Sequence, residues 1–340
     1  MRKEIRQMRK KHPAQMNSFP ENLLALISSA ERILLCAHVS PDGDTVGSSL
    51  ALRGALVLLG KQVEVVCADD VPQMLMFLSG AGEIRKPAEL KGKGFDLAIA
   101  VDVSDRHRLG DCAPLFFATR QTVQVDHHGT NPGYADFNVI SPHASATGVL
   151  VYELIHSLGV RLNTDIATCL YTAIATDTGN FSFDNTTSDA FQVMSELMAY
   201  GLPIARLNRS LFRERSVEQV KVLAKALSTL TFYHDGQITG MLLSQVDLDA
   251  CGAKPEHAEA IVNFGIDIAG VKMAFLAREV ANGTKFSLRA VEGCNVARLA
   301  AEFGGGGHAL AAGCTMNSEL PAAADIMIAA MEKSFSDKKA

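Results

Sequence analysis

The stretch Arg32-Ile-Leu-Leu-Cys-Ala-His38-Val-Ser-Pro-Asp42-Gly-Asp44-Thr45 decides the fold. It opens as a short aliphatic run and breaks at an acidic turn holding Pro41 and Gly43. It then enters residues 45–59, which are apolar nearly all round. That order reads as a buried strand, a tight turn and a buried helix, with Gly60 as the helix stop. The same grammar recurs outward. Residues 62–68 run into Asp69-Asp70, residues 95–101 into Asp102, and residues 121–125 into Asp126-His127-His128. Helices are expected over 146–158, 164–176 and 188–200. This alternation predicts an α/β fold, a mostly parallel sheet flanked by helices. Such sheets bind ligands outside the carboxyl ends of their strands, where the acids and histidines collect here.

The second half alternates again. Strands are expected over 238–243, 271–278 and 285–290, and helices over 255–264, 295–303 and 321–335. The organisation is therefore an N-terminal domain over 18–205, a linker over 206–218 and a smaller C-terminal α/β domain over 219–338. The active site is expected in the cleft between the domains.

Composition bounds the partners. The 340 residues carry 32 Lys+Arg and 37 Asp+Glu, a net charge of −5, with no Trp. A protein gripping long duplex nucleic acid by its phosphates would carry the opposite sign, and broad base-stacking platforms are disfavoured. Seven cysteines, with no C-x-x-C pair, fit a reduced cytoplasmic protein rather than a disulfide framework or a zinc site. No apolar run is long enough for a membrane span. The opening MRKEIRQMRKKH is basic but has no signal-peptide core, and reads as a solvated extension.

Each candidate site residue has an ordinary reading by itself. Asp44 is a plausible N-cap, Asp126-His127-His128 a polar turn, and Asp102 and Asp177 are lone carboxylates. Adjacent histidines at a strand end point to opposite faces, so one can bind a metal while the other faces substrate. Together, Asp42, Asp44, Asp102 and Asp177 place about four negative charges at one sheet edge, where they raise one another's pKa. Two divalent cations neutralise them, with His38 and His127 completing the coordination. Oxygen and imidazole donors without thiolate suit Mn²⁺ or Mg²⁺. A further segment, Gly304-Gly305-Gly306-Gly307-His308, exposes successive backbone N–H groups that form an anion-binding concavity. It lacks the Lys and Ser/Thr of a Walker A loop.

With these motifs in order, the chain resembles the DHH/DHHA1 phosphoesterases, closest to their bacterial nanoRNase/pAp-phosphatase branch. The resemblance runs from about residue 18 to 335. It rests on His38-x-x-x-Asp42-x-Asp44, Val101-Asp102, Asp126-His127-His128, Thr176-Asp177-Thr-Gly179, Ser287-Leu-Arg289 and Gly304–His308 with Ala311-Ala-Gly313. It implies that His38, Asp42 and Asp102 bind one Mn²⁺, and that Asp44, Asp102, His127 and Asp177 bind the other, with Asp102 bridging. Asp126 orients a ligand, and His128 contacts the scissile phosphate and protonates the leaving oxygen. Arg289, Gly305, Gly306, Gly307 and His308 hold the distal nucleotide, with Asn263 as a further contact. The implied activity is hydrolysis of short RNA to mononucleotides, and of 3′-phosphoadenosine 5′-phosphate (pAp) to AMP, by a metal-bridging hydroxide. The resemblance also suggests a homodimer, which no heptad or self-pairing motif supports.

Other readings compete. A cyclic di-AMP or pApA phosphodiesterase shares the same metal site. A RecJ-type exonuclease is longer, and a manganese pyrophosphatase has a different second domain. A non-catalytic nucleotide-binding module would have lost ligands that are all present here.

Overall fold

A computed structural model describes residues 19–258 and 260–336. The basic opening, residues 1–12, and the outermost ends of the expected domains, 18 and 338, lie outside the described residues. The chain divides between Glu214 and Arg215 into two compact units.

In the first unit the order is α1 (Glu21–Ser29), β1 (Arg32–Cys36), α2 (Gly43–Leu58), β2 (Gln62–Val66), β3 (Leu97–Val101), α3 (Ala113–Phe117), β4 (Thr122–Asp126), β5 (Phe137–Ile140), α4 (Thr147–Ser157), α5 (Thr164–Asp177), α6 (Ser188–Leu197) and α7 (Ile204–Asn208). The strands form one sheet in the order β2-β1-β3-β4-β5, with every pair parallel. β3 and β4 are buried along their whole length. Alternate side chains feed two cores. Ile33, Leu35, Ile99 and Val125 pack in one with α1, α2, α4 and α5, while Leu34, Cys36, Ala98 and Ala100 pack in the other with Leu109 and Phe116. β1 neighbours β2 on one side and β3 on the other, so the connections leave it in opposite directions. A crevice opens at such a switch point, at the carboxyl ends of β1 and β3.

Glycines set how closely the helices approach. A Cβ on Gly47 of α2 would lie 2.5 Å from the Cys169 carbonyl oxygen of α5, and one on Gly148 of α4 would lie 2.7 Å from the Ala173 Cβ. This packing fixes the N-terminal end of α2 beside the C-terminal end of α5.

In the second unit the order is α8 (Val217–Ser228), β6 (Thr231–Tyr233), β7 (Ile238–Leu243), α9 (Gln245–Cys251), α10 (Val262–Ile266), β8 (Met273–Val280), β9 (Gly283–Ala290), α11 (Val296–Glu302), β10 (Gly306–His308), β11 (Ala311–Met316) and α12 (Leu320–Ser336). The sheet order is β10-β11-β9-β8-β7-β6, and only β7 and β8 pair in parallel. One face, with Phe275, Phe286 and Leu288, is closed by α11 and α12. On the other, Met241 and Leu276 pack with Val222, Leu248 and Val262 of α8, α9 and α10.

The structure differs from the sequence reading in several places. The segment expected as a linker starts inside ordered structure: α7 and a π-helical turn, Arg209–Arg213, bury Leu207 and Leu211 in the first unit's core. The single helix expected over 255–264 is a 3₁₀ turn, Pro255–Ala258, followed by the short α10. Ala258 and Val262 both pack in the same core. Gly306–His308 is not a free loop but an edge strand paired with β11. A Cβ on Gly305 would lie 2.2 Å from the Gly313 carbonyl oxygen, so close strand approach accounts for that glycine. Among the described residues no helix is long and apolar enough to cross a membrane.

Candidate metal centre

The strand ends and helix ends of the first unit bring the predicted residues together. His38 follows β1, Asp102 follows β3, Asp126 closes β4 with His127 and His128 just beyond it, and Asp177 closes α5. Asp102 sits in the left-handed region, at φ 62°, a conformation costly for a residue with a Cβ. Its two oxygens face two donor groups. One oxygen is 3.6 Å from His38 Nε2, which is itself 3.5 Å from Asp42. The other is 3.8 Å from His127 Nε2 and 3.7 Å from His128 Nδ1. His127 Nε2 also lies 4.0 Å from Asp44 and 3.5 Å from Asp177. His38, Asp42 and Asp102 thus form one group of potential ligands, and Asp44, His127 and Asp177 another, each with its ligand atoms within 4.8 Å.

Local structure explains each placement. Asp42, not Asp44, is the N-cap of α2. One of its oxygens accepts the backbone N–H groups of Asp44 and Thr45 at 3.0 and 3.1 Å, while the other faces His38. The capping role of this turn therefore falls to Asp42, whose second oxygen is left facing His38 among the potential ligands. Asp44 is buried and accepts the backbone N–H groups of Thr147 (2.7 Å) and Gly148 (2.9 Å) at the start of α4, together with the Ser48 hydroxyl. The α4 N-cap, Ala146, has no side-chain oxygen, so Asp44 caps that helix from across the fold.

The two histidines do not split to opposite faces as expected. β4 ends at Asp126, so strand alternation no longer governs them, and both rings turn toward Asp102, edge to face at 4.7 Å. Asp126 holds His128 Nδ1 at 2.8 Å, while His127 Nδ1 is met by the Ala144 carbonyl at 3.1 Å. The residue that Asp126 orients is thus His128, and a backbone oxygen orients His127.

Electrostatics describe a site built for positive charge. Burial pushes Asp44 well above the carboxylate range, and Asp102, Asp177 and Asp42 push it further. Burial also raises Asp177, to about 6; His127 opposes this and Asp102 adds to it. Burial disfavours the charged form of His38, but Asp102 and Asp42 outweigh it and push the imidazole up to about 9. Asp126 is held below its usual range: burial opposes the charge, and hydrogen bonds from His128 and Asn131 prevail. His128 is raised, first by its hydrogen bond to Asp126. Buried like charges with imidazoles set between them, and no thiolate in the group, fit hard divalent cations.

Sequence reasoning missed several supporting residues. Asn131 donates to Asp126 at 2.6 Å and accepts from Gln124. Asn185 donates to Asp177, and the Thr147 hydroxyl donates to Asp102 at 2.8 Å. Arg108 places its guanidinium 2.8 Å from His38 Nδ1, which also lies 2.8 Å from the Val39 carbonyl. Both partners cannot be served at once. In the neutral ring, a protonated Nδ1 donates to Val39 and leaves Nε2 bare toward the carboxylates; a bare Nδ1 accepts from Arg108.

In the second unit, Arg289 and Asn263 are joined, Nε donating to Oδ1 at 3.1 Å. Arg289 of β9 pairs with Ala311 of β11, which pairs with His308 of β10. Residues directly opposite share a face, so Arg289 and His308 stand on one side of the sheet, about 10 Å apart across two strand spacings.

Residues 32–174 match the DHH family N-terminal domain, and residues 240–336 match the DHHA1 domain. The chain is 36% identical, over 84% of its own length and 84% of the relative's, to the bifunctional oligoribonuclease and PAP phosphatase NrnA of Thermus thermophilus. The chain belongs to the DHH family. A second DHH relative, the Bacillus subtilis protein of the same name, is 26% identical over 87% of this chain and 93% of its own. Among solved structures, an exopolyphosphatase-related protein from Bacteroides fragilis superposes with a TM-score of 0.84. It is 26% identical and covers 92% of this chain and 95% of its own.

Proposed function

We propose that this DHH-family protein hydrolyses short oligoribonucleotides to mononucleotides, and pAp to AMP, using two divalent cations, with Mn²⁺ as the expected ion and Mg²⁺ as the alternative. The observation that carries the reading is Asp102, whose two oxygens face separate groups of potential ligands. In the proposed assignment His38, Asp42 and Asp102 hold one cation, and Asp44, Asp102, His127 and Asp177 the other. Bound there, the cations would neutralise the carboxylates, lower the pKa of a coordinated water and polarise the phosphoryl oxygens.

The chain's own groups supply the rest. The Val39 and Ala144 carbonyls hold the Nδ1 atoms of His38 and His127, so each Nε2 is presented toward the acids. Water attacks phosphorus in line as the bond to the ester oxygen breaks. The hydrogen bond to Asp126 favours the protonated form of His128, which gives its proton to the departing oxygen. Arg289, with Asn263 beside it, and His308 bind the phosphate and base of the distal nucleotide. Gly305 and Gly307 let β10 lie close against β11, and Gly306, with open space beside it, lets that edge approach the ligand closely. All seven cysteines are free thiols, which supports a reducing compartment such as the cytoplasm.

The test is product release with Mn²⁺ from 5′-phosphorylated RNA of two to five nucleotides, pAp, pApA and cyclic di-AMP. Cleavage of the short RNAs and pAp, with cyclic di-AMP intact, is the expected result. Opening of cyclic di-AMP at a comparable rate would replace the substrate assignment while keeping the site.

A further inference from the structure

The open part of the second unit's sheet carries a charge arrangement that the reading above leaves unused. Arg278 of β8 and Lys285 of β9 are direct cross-strand partners, so their side chains rise from the same face. Like charges directly opposite one another destabilise an antiparallel pair. Among the described residues neither side chain has a carboxylate partner or a hydrogen bond. Glu279, next to Arg278 in the chain, instead accepts the Gln245 backbone N–H at 2.9 Å. Arg278 is half-buried, and with Lys285, Ser287, Leu276, Pro255 and Ala258 it lines a narrow crevice of about 10 Å³, room for one water, so an anion held by these groups sits at its mouth. Ser287 lies two residues along β9 from Lys285 and adds a hydroxyl.

The register ties this crevice to Arg289. Lys285, Ser287 and Arg289 alternate along β9, and therefore project from one face, with Arg289 about 13 Å from Lys285. On the β11 side their partners are Thr315, Gly313 and Ala311, so the floor between the two cations is low. The face beyond β8 is closed by α8–α10. What remains is a strip of sheet with a cation at one end, a pair of cations at the other, and small or hydroxyl-bearing residues between.

We propose that Arg278 and Lys285, with the Ser287 hydroxyl, form a second phosphate site on the DHHA1 sheet. It would bind a phosphodiester of single-stranded RNA extending past the nucleotide held at Arg289. This rests on the reading of Arg289 as a substrate contact. The site makes the protein sensitive to substrate length, since an RNA of several nucleotides reaches both ends of the strip and pAp reaches one. An anion there also relieves the repulsion between the paired cations.

The experiment compares wild type with the double variant Arg278→Gln, Lys285→Gln. KM is measured for pAp and for a 5′-phosphorylated pentanucleotide. Binding of a fluorescent pentanucleotide is followed by anisotropy, without added metal, across a salt series. The expected result is a KM for the pentanucleotide raised at least about five-fold more than that for pAp. The slope of log affinity against log salt becomes shallower by about 0.7 for each phosphate that the variant no longer neutralises. Equal changes for both substrates, or an unchanged salt slope, would overturn the site. If wild type cleaves neither substrate, the proposed function fails by itself, and the anisotropy series still decides the phosphate site. Circular dichroism of the variant checks that the sheet is intact.

Discussion

At the scale of the residue, the centre turns on Asp102. Its left-handed backbone aims a short side chain between two sets of acids and imidazoles, and asparagine is among the few residues that tolerate that conformation. Asp102→Asn therefore keeps the local fold and removes one negative charge. Turnover should fall by at least about 100-fold, the upper range for loss of a group that supports a metal site. Calorimetry should show weaker or fewer Mn²⁺ sites; wild-type stoichiometry and affinity would exclude the bridging assignment. The pH response follows from the raised groups. Asp177 at about 6 keeps its proton in the folded chain at pH values where the unfolded chain has lost it, so metal-free stability falls as pH rises from 4 to 6. His38 at about 9 stabilises the metal-free fold through its charge below 6.5, and that contribution is lost as pH rises through 9. Both act in one direction, and a cation replaces the protons that are lost. Mn²⁺ should thus raise the melting temperature more at pH 8 than at pH 5, and an equal rise at both would contradict the origin assigned to these shifts.

At the scale of the element, α2 and α5 are held at glycine distance, and this spacing carries Asp44 and Asp177 to one place. Gly47→Ala sets a methyl group 2.5 Å from a backbone oxygen that cannot rotate away. It should cost about 1–3 kcal/mol, measured by chemical denaturation, and should weaken metal binding although residue 47 touches no ligand. A neutral substitution would mean that the helices part without moving the acids. The elements also show what could be read from sequence. His38, Asp102 and Asp126 were legible because each interrupts or follows an aliphatic strand with a charged group. Arg108 and Thr147 were not, because their side chains meet partners 70 and 45 residues away in the chain. The partly exposed β5 has no strong apolar alternation to mark it. Small residues concealed β11, since Ala311, Ala312 and Gly313 have little strand preference of their own and take that form by pairing with β9.

At the scale of the whole molecule, a net charge of −5 coexists with local cations on the second unit's sheet, so the attraction proposed for RNA is local rather than global. Metal removal should be felt throughout the first unit, because the acids come from residues far apart in sequence. Each cation at a hundred times its dissociation constant stabilises the folded state by about 2.7 kcal/mol, so the proposed pair contributes about 5 kcal/mol. Chelation should accordingly lower the melting temperature by roughly 10–20 °C and abolish activity, with both restored by Mn²⁺. Full activity in EDTA would count against a metal-dependent reaction. The division at Glu214 and Arg215 has a historical corollary. All the clustered acids and imidazoles come from residues 38–177, and Arg289, Asn263 and His308 from the segment that follows. Because the two sets do not interleave along the chain, a single recombination between them would give descendants a new ligand preference while their inherited chemistry stayed whole.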